Sequence, residues 1–196
     1  FGNHYLHPYQ RKIPPKVKAF RTNKRMDDLL ESLEYNYQEK SAALPKKLIH
    51  LLHCPFLVGN DLVLLKSDAQ FIPEKELATA VDKCAYEDIE NHFHIDDYVD
   101  DVINYNSLAF FELGLAFTMQ LADRLQSEFP KISFRVLLSF GAVDSDKQHQ
   151  FGNCVTRFYT IRAEAETAFR IQNLEVFKNE AILTIETNNQ AGTTTE

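Results

Sequence analysis

The chain has no tryptophan, no CxxC pair, and no acidic residue before Asp27. Its three cysteines, Cys54, Cys84 and Cys154, are odd in number and far apart, which argues against a disulfide framework or a zinc ribbon. They read as small apolar residues in a reducing compartment, so a cytoplasmic location is expected. No apolar run approaches the roughly 18 residues of a membrane span, so no membrane partner is expected. The opening FGNHYLHPYQ lacks the apolar stretch of a signal peptide. GxGxxG, the Walker loop, HExxH and GxSxG are all missing, and with them the common nucleotide, zincin and α/β-hydrolase signatures. No cofactor, metal or catalytic residue is assigned on these grounds.

What is present is a globular composition. Hydrophobic residues make up 44 % of the 196, and fifteen Phe with eight Tyr point to an aromatic-rich core in one domain. Met26, Leu29, Leu30, Leu33 and Tyr37 keep helical spacing, with Thr22 or Asn23 as the cap. Pro45 opens a second helix and Pro55 ends it. FLVGNDLVLL predicts a hairpin turning at Gly59-Asn60. From Pro73, the apolar positions Leu77, Val81, Cys84, Ala85 and Ile89 predict the inner face of a further helix. A helical stretch is expected from about Asp96 to Phe129, broken near residues 104–107. Its second half, LAFFELGLAFTMQLADRL, is apolar nearly all round and reads as the central buried helix.

After Pro130 the period changes. ISFRVLLSFGAV and NCVTRFYTIRA alternate as strands, and EAILTIE supplies a last one. The fold expected is therefore α+β: N-terminal helices and a long buried central helix packed on a C-terminal antiparallel β-meander. Residues 1–22 read as a basic extended arm, 23–187 as a single α+β domain, and 188–196 as a polar tail. Removing residues 1–21 is expected to leave that domain folded.

Charge is unevenly spread. Residues 1–26 hold seven cations, among them Arg11, Lys12, Lys16, Lys18 and Arg21, and no acid. The whole chain is −7, so the remaining 170 residues carry −14. A basic arm interleaved with aromatics suits nucleic acid. The competing reading lays the arm along the chain's own acidic surface.

The densest acidity is at HFHIDDYVDD, residues 92–101, preceded by Glu87, Asp88 and Glu90. On a strand, His92 and His94 share a face and could start a metal site for a hydrolase or nuclease. On a helix, Asp96 and Asp100 are i, i+4 neighbours, as are Asp97 and Asp101, and like charges at that spacing repel by about 0.2–0.5 kcal/mol. The plainer reading is a capped, solvated helix entrance. Between these lies a surface of Glu87, Asp88, Glu90, Asp96, Asp97, Asp100 and Asp101 that attracts a basic protein. Cys154 and His149 could be drawn as nucleophile and base, but a strand-core cysteine fits the pattern better.

The last third carries a resemblance. The segment from Val155 to Arg162, and Glu180 to Glu186 with its leading EAI, resemble the ending of small immunity-type proteins from bacterial toxin–immunity loci. Where those often have a Trp between the last strands, this chain has Phe169. The resemblance implies a cytoplasmic protein that neutralises a toxin domain by binding it, and the acidic surface suits a basic one, so a non-enzymatic immunity or inhibitor protein is expected. A metal-dependent hydrolase built on His92, His94 and the aspartates, or a nucleic-acid-associated protein using the arm, are the alternatives.

Overall fold

Four α-helices, a five-stranded antiparallel sheet and a separate hairpin make up the described part of the chain. The computed structural model describes residues 19–34, 43–65, 77–99, 107–141, 154–165 and 172–187. Arg11, Lys12, Lys16, Lys18, Tyr37, Asp100, Asp101, His149, Phe169 and the tail 188–196 lie outside these residues.

The chain enters through β1 (Ala19–Thr22), which pairs antiparallel with β7 (Glu180–Glu186) along its whole length. Residues 19–22, counted with the arm on sequence grounds, therefore belong to the sheet. Cutting after residue 21 removes most of β1, with Phe20 packed against the core, so the domain boundary lies N-terminal to Ala19. The strand is four residues long, too short for alternation to reveal it.

Asn23 joins β1 to α1 (Lys24–Glu34). Its Oδ1 accepts from the backbone N–H of Met26 at 3.0 Å, the bond of an N-cap to the third helical position. The same oxygen accepts from Ile182 N at 2.9 Å, and its Nδ2 donates to Glu180 O at 2.8 Å. One amide thus caps the helix and ties it to β7. Met26 and Leu30 face inward, as their spacing predicts.

Helix α2 (Lys46–His53) starts after Pro45 and buries Leu48, Leu51 and Leu52. Arg124 reaches its C-terminal end, donating to the carbonyls of Leu52 and Cys54 and lying 4.3 Å over the Phe56 ring. This satisfies carbonyls that a helix end leaves orphaned. The hairpin β2 (Leu57–Gly59) and β3 (Leu62–Leu64) forms as expected, but its turn sits one residue later. Asn60 and Asp61 carry φ values of 51° and 61°, the pair of positive φ angles that a tight two-residue hairpin requires.

Helix α3 (Ala80–Glu90) begins later than Pro73. Thr79 and Asp82 form a reciprocal capping box there. A three-residue strand, β4 (His92–His94), follows directly and pairs with β6 (Cys154–Thr160) at one edge of the sheet. The next turn, Ile95–Tyr98, is 3₁₀ and ends at Val99, which is extended.

The central helix α4 (Ser107–Glu128) packs across β5 (Phe134–Gly141) and β6. Its Phe117, Leu121 and Leu125 are fully buried among Phe134, Val136, Leu138, Phe158, Leu183 and Ile185 of the sheet. Each such side chain contributes about 1.5–3 kcal/mol by leaving water. The opposite sheet face carries a smaller cluster of Cys84, Leu137, Tyr159 and Ile182. Buried on the same face, Arg135 pairs with Glu186 at 2.5 Å and donates to Tyr159 Oη at 3.3 Å.

The α+β class and the antiparallel C-terminal strands match the sequence reading. The order, β1-β7-β5-β6-β4, departs from a meander because β7 returns to the far side of β5. Two short strands from the N-terminal half then close the edges. Among the described residues, no helix is long and apolar enough to cross a membrane.

Candidate functional site

Helix α3 is turned from the expected stripe by about a quarter turn, keeping Cys84 inside. Its inward side carries Cys84, Glu87 and Asn91, and Glu87 is 0 % exposed. At 100° per residue, Ile89 and Asp82 fall opposite that side with Ala85 and Tyr86 next to them, while Val81 and Glu90 lie on the two flanks, 180° apart. Ile89 is 69 % exposed and Val81 36 %. The sequence expectation that Val81 and Ile89 face the core is therefore corrected. The hydrophobic positions with i, i+4, i+8 spacing point to solvent, and a carboxylate points inward.

The buried side explains why. Asn91 Oδ1 accepts from Leu65 N at 2.9 Å, and its Nδ2 donates to Val63 O at 3.0 Å and Phe158 O at 3.2 Å. Glu87 Oε1 accepts from Val63 N at 2.9 Å, while Oε2 accepts from Thr160 N at 2.8 Å. Two side chains one turn apart thus occupy the free backbone edge of β3 and fasten the hairpin to β6. Arg162 supplies the counter-charge, with Nη1 2.7 Å from Glu87 Oε2. Burial disfavours the Arg162 cation, but the hydrogen bonds and charge of Glu87 outweigh it and raise its pKa. Glu87 is structural, and its expected place on a partner-binding surface is corrected.

The other acids disperse. Asp88 lies at the flank of the outer face, half-buried, with Arg157 Nη1 at 3.4 Å and His92 nearby. Glu90 belongs to the outer face, where its charge, after burial, raises the Tyr86 hydroxyl pKa. Asp96 and Asp97 are exposed on the turn after β4, which packs against α2 and α4. That is about 13 Å of extended chain from Asn91. Asp96 and Asp97 sit on a 3₁₀ turn that ends at the extended Val99, and the other members of the expected i, i+4 pairs, Asp100 and Asp101, lie outside the described residues. Of the five described acids of the expected surface, Glu87 is buried, Asp88 and Glu90 belong to α3, and Asp96 and Asp97 to the turn after β4.

Asp88 supplies a titration test. Burial pushes its carboxyl pKa up, and Arg157 and His92 offset this only in part. A folded pKa above the unfolded one means that the native state holds the proton more tightly. The stabilisation it brings is complete below the unfolded pKa and lost as pH rises through the folded one. The Asp88 carboxyl carbon should titrate in NMR above the usual aspartate midpoint, and higher still in Arg157→Ala. A midpoint below the usual value would contradict this geometry.

His92 and His94 share one face of β4, as the strand reading expects, with rings stacked 4.9 Å apart at 20°. Stacked, near-parallel rings do not converge two nitrogens on a single point. Among the described residues, no group of three His, Cys, Asp or Glu side chains is placed to hold a metal ion. Cys154 is buried between α4 and the sheet, and burial raises its thiol pKa, which opposes a thiolate nucleophile. Arg21, read from sequence as part of the free arm, is a β1 residue whose Nη2 donates to Gln172 O at 2.6 Å.

The outer face of α3 thus carries exposed Ile89, Asp82 and the half-buried Tyr86 ring, with Val81 on one flank and Glu90 on the other. Lys83, beside it, is engaged by Asp61 at 3.4 Å. Apolar anchors ringed by charge of one sign form the chemistry of a protein interface. No curated protein and no solved structure matches the chain. The one assignment the comparisons make is at the level of family: a match over residues 21–195 shows that the chain belongs to the Uncharacterized protein PM0498 family.

Proposed function

We propose that this is a non-enzymatic protein-binding protein of the immunity or inhibitor type. It acts in the cytoplasm and covers a basic surface of a toxin domain with the outer face of α3. The observation that carries this reading is the turn of α3, which commits Glu87 and Asn91 to the fold and leaves Ile89 in water. Exposed large apolar residues grouped on one face mark interaction sites more often than isolated ones do. Flanking Asp82 and Glu90 select a cationic partner and steer its approach. The resemblance of β6 and β7 to immunity-protein endings adds the toxin as the class of partner.

Capture from a cell lysate tests this. The tagged wild-type protein should retain a basic partner that Ile89→Lys loses, with an affinity drop of about 30-fold if Ile89 is an anchor worth about 2 kcal/mol. Glu90→Gln should weaken capture less and flatten its salt dependence. Retention of the same partner at equal yield by Ile89→Lys would remove α3 from the interface.

A further inference from the structure

A groove of about 710 Å³ opens between the first turns of α1 and the segment around the 3₁₀ turn Leu174–Val176, floored by the ends of β5 and β7. None of its walls belongs to α3. Leu29, Phe140, Phe177 and Ala181 line it, the first three only partly buried although packed against the two cores. A volume of this size falls within the roughly 300–1,000 Å³ of small-molecule sites.

The charges around it are not balanced. Lys24 is held by Asp28, with Nζ 2.8 Å and 3.0 Å from the two carboxylate oxygens. Glu175 accepts from Lys24 N at 2.8 Å and so covers the N-terminus of α1. Both acids of the groove are thereby engaged. Arg25 and Lys178 are exposed at its rim, and among the described residues neither has an ion-pair partner. In a chain of net charge −7, this is a local cationic surplus above an apolar floor.

We propose that the groove binds a free small amphipathic carboxylate, with a ring or short acyl chain on Leu29, Phe140 and Phe177 and its head between Arg25 and Lys178. A neutral ligand would leave the two cations without use. A phosphate alone would leave the apolar floor uncovered.

Octanoate is the probe, with octan-1-ol as its neutral counterpart, followed by amide NMR shifts of the full chain. Octanoate should perturb Lys24–Ser32 and Glu175–Ala181 selectively. It should bind about tenfold more tightly than octan-1-ol, and Arg25→Gln with Lys178→Gln should erase about that factor. Equal binding of acid and alcohol, unchanged affinity in the double variant, or shifts centred on α3 would each overturn the assignment. Both substitutions are at exposed positions, and amide shifts away from the groove report directly whether the variant is folded.

Discussion

Glu87→Gln is expected to lower the unfolding free energy by about 3–5 kcal/mol, the usual cost of breaking a buried ion pair by removing one partner. The substitution is nearly isosteric, so packing is not the cause. Arg162, with its side chain 9 % exposed, loses its buried counter-charge and keeps only the exposed Asp61 carboxylate at 3.8 Å, and an amide NH₂ then faces guanidinium or backbone N–H donors. For a domain of ordinary stability, about 5–15 kcal/mol, this is a large share of the total. The double variant Glu87→Leu with Arg162→Met should recover only part of the loss. It removes both charges, but it still strands Val63 N and Thr160 N, which Glu87 now satisfies. Each stranded donor costs about 1–3 kcal/mol. Chemical denaturation of both variants checks this. A double variant as stable as wild type would mean that those backbone groups find other partners.

Gly114 carries the second large effect. A Cβ placed there would lie 2.4 Å from Cys154 Sγ, 3.1 Å from Leu138 Cδ1 and 3.4 Å from Ile95 Cγ1. The helix crosses the sheet too closely at this point for any side chain. Alanine would favour the helix by about 1 kcal/mol over glycine, but overpacking a filled core costs about 1–3 kcal/mol. Overpacking should win: Gly114→Ala is expected to destabilise, and Gly114→Val more so. Cys154→Ala should restore Gly114→Ala, because it removes the nearest atom. If the two substitutions are additive in denaturation, the contact with Cys154 does not set the spacing.

Some of this was legible in the residues. The alternation in residues 154–160 puts Cys154 and Phe158 on one sheet face and Tyr159 on the other, and the two cores divide them in that way. The apolar surround of LAFFELGLAFTMQLADRL marked α4 as central. Its lone glycine was also a visible signal, since glycine inside a buried helix often records a close approach. The reading of α3 failed for a physical reason. Spacing alone cannot distinguish a stripe of Val81, Cys84, Ala85 and Ile89 from one of Cys84, Glu87 and Asn91, and burying a carboxylate is the costlier choice unless a partner exists. That partner, Arg162, is 75 residues away. The aspartate cluster misled similarly: an extended Val99 ends the turn, and no local residue announces it. β1 and β4 were too short to show a period, so the sheet edges were not foreseen.

The central claim is that the outer face of α3 belongs to a partner and not to the fold. Urea unfolding of Ile89→Lys, measured on the isolated chain, tests it most directly. A residue that serves only an absent partner can take a charge without loss, so the unfolding free energy should stay within about 0.5 kcal/mol of wild type. A decrease of about 2 kcal/mol or more, the cost of disturbing a packed isoleucine, would show that the chain itself covers this face and would contradict the account.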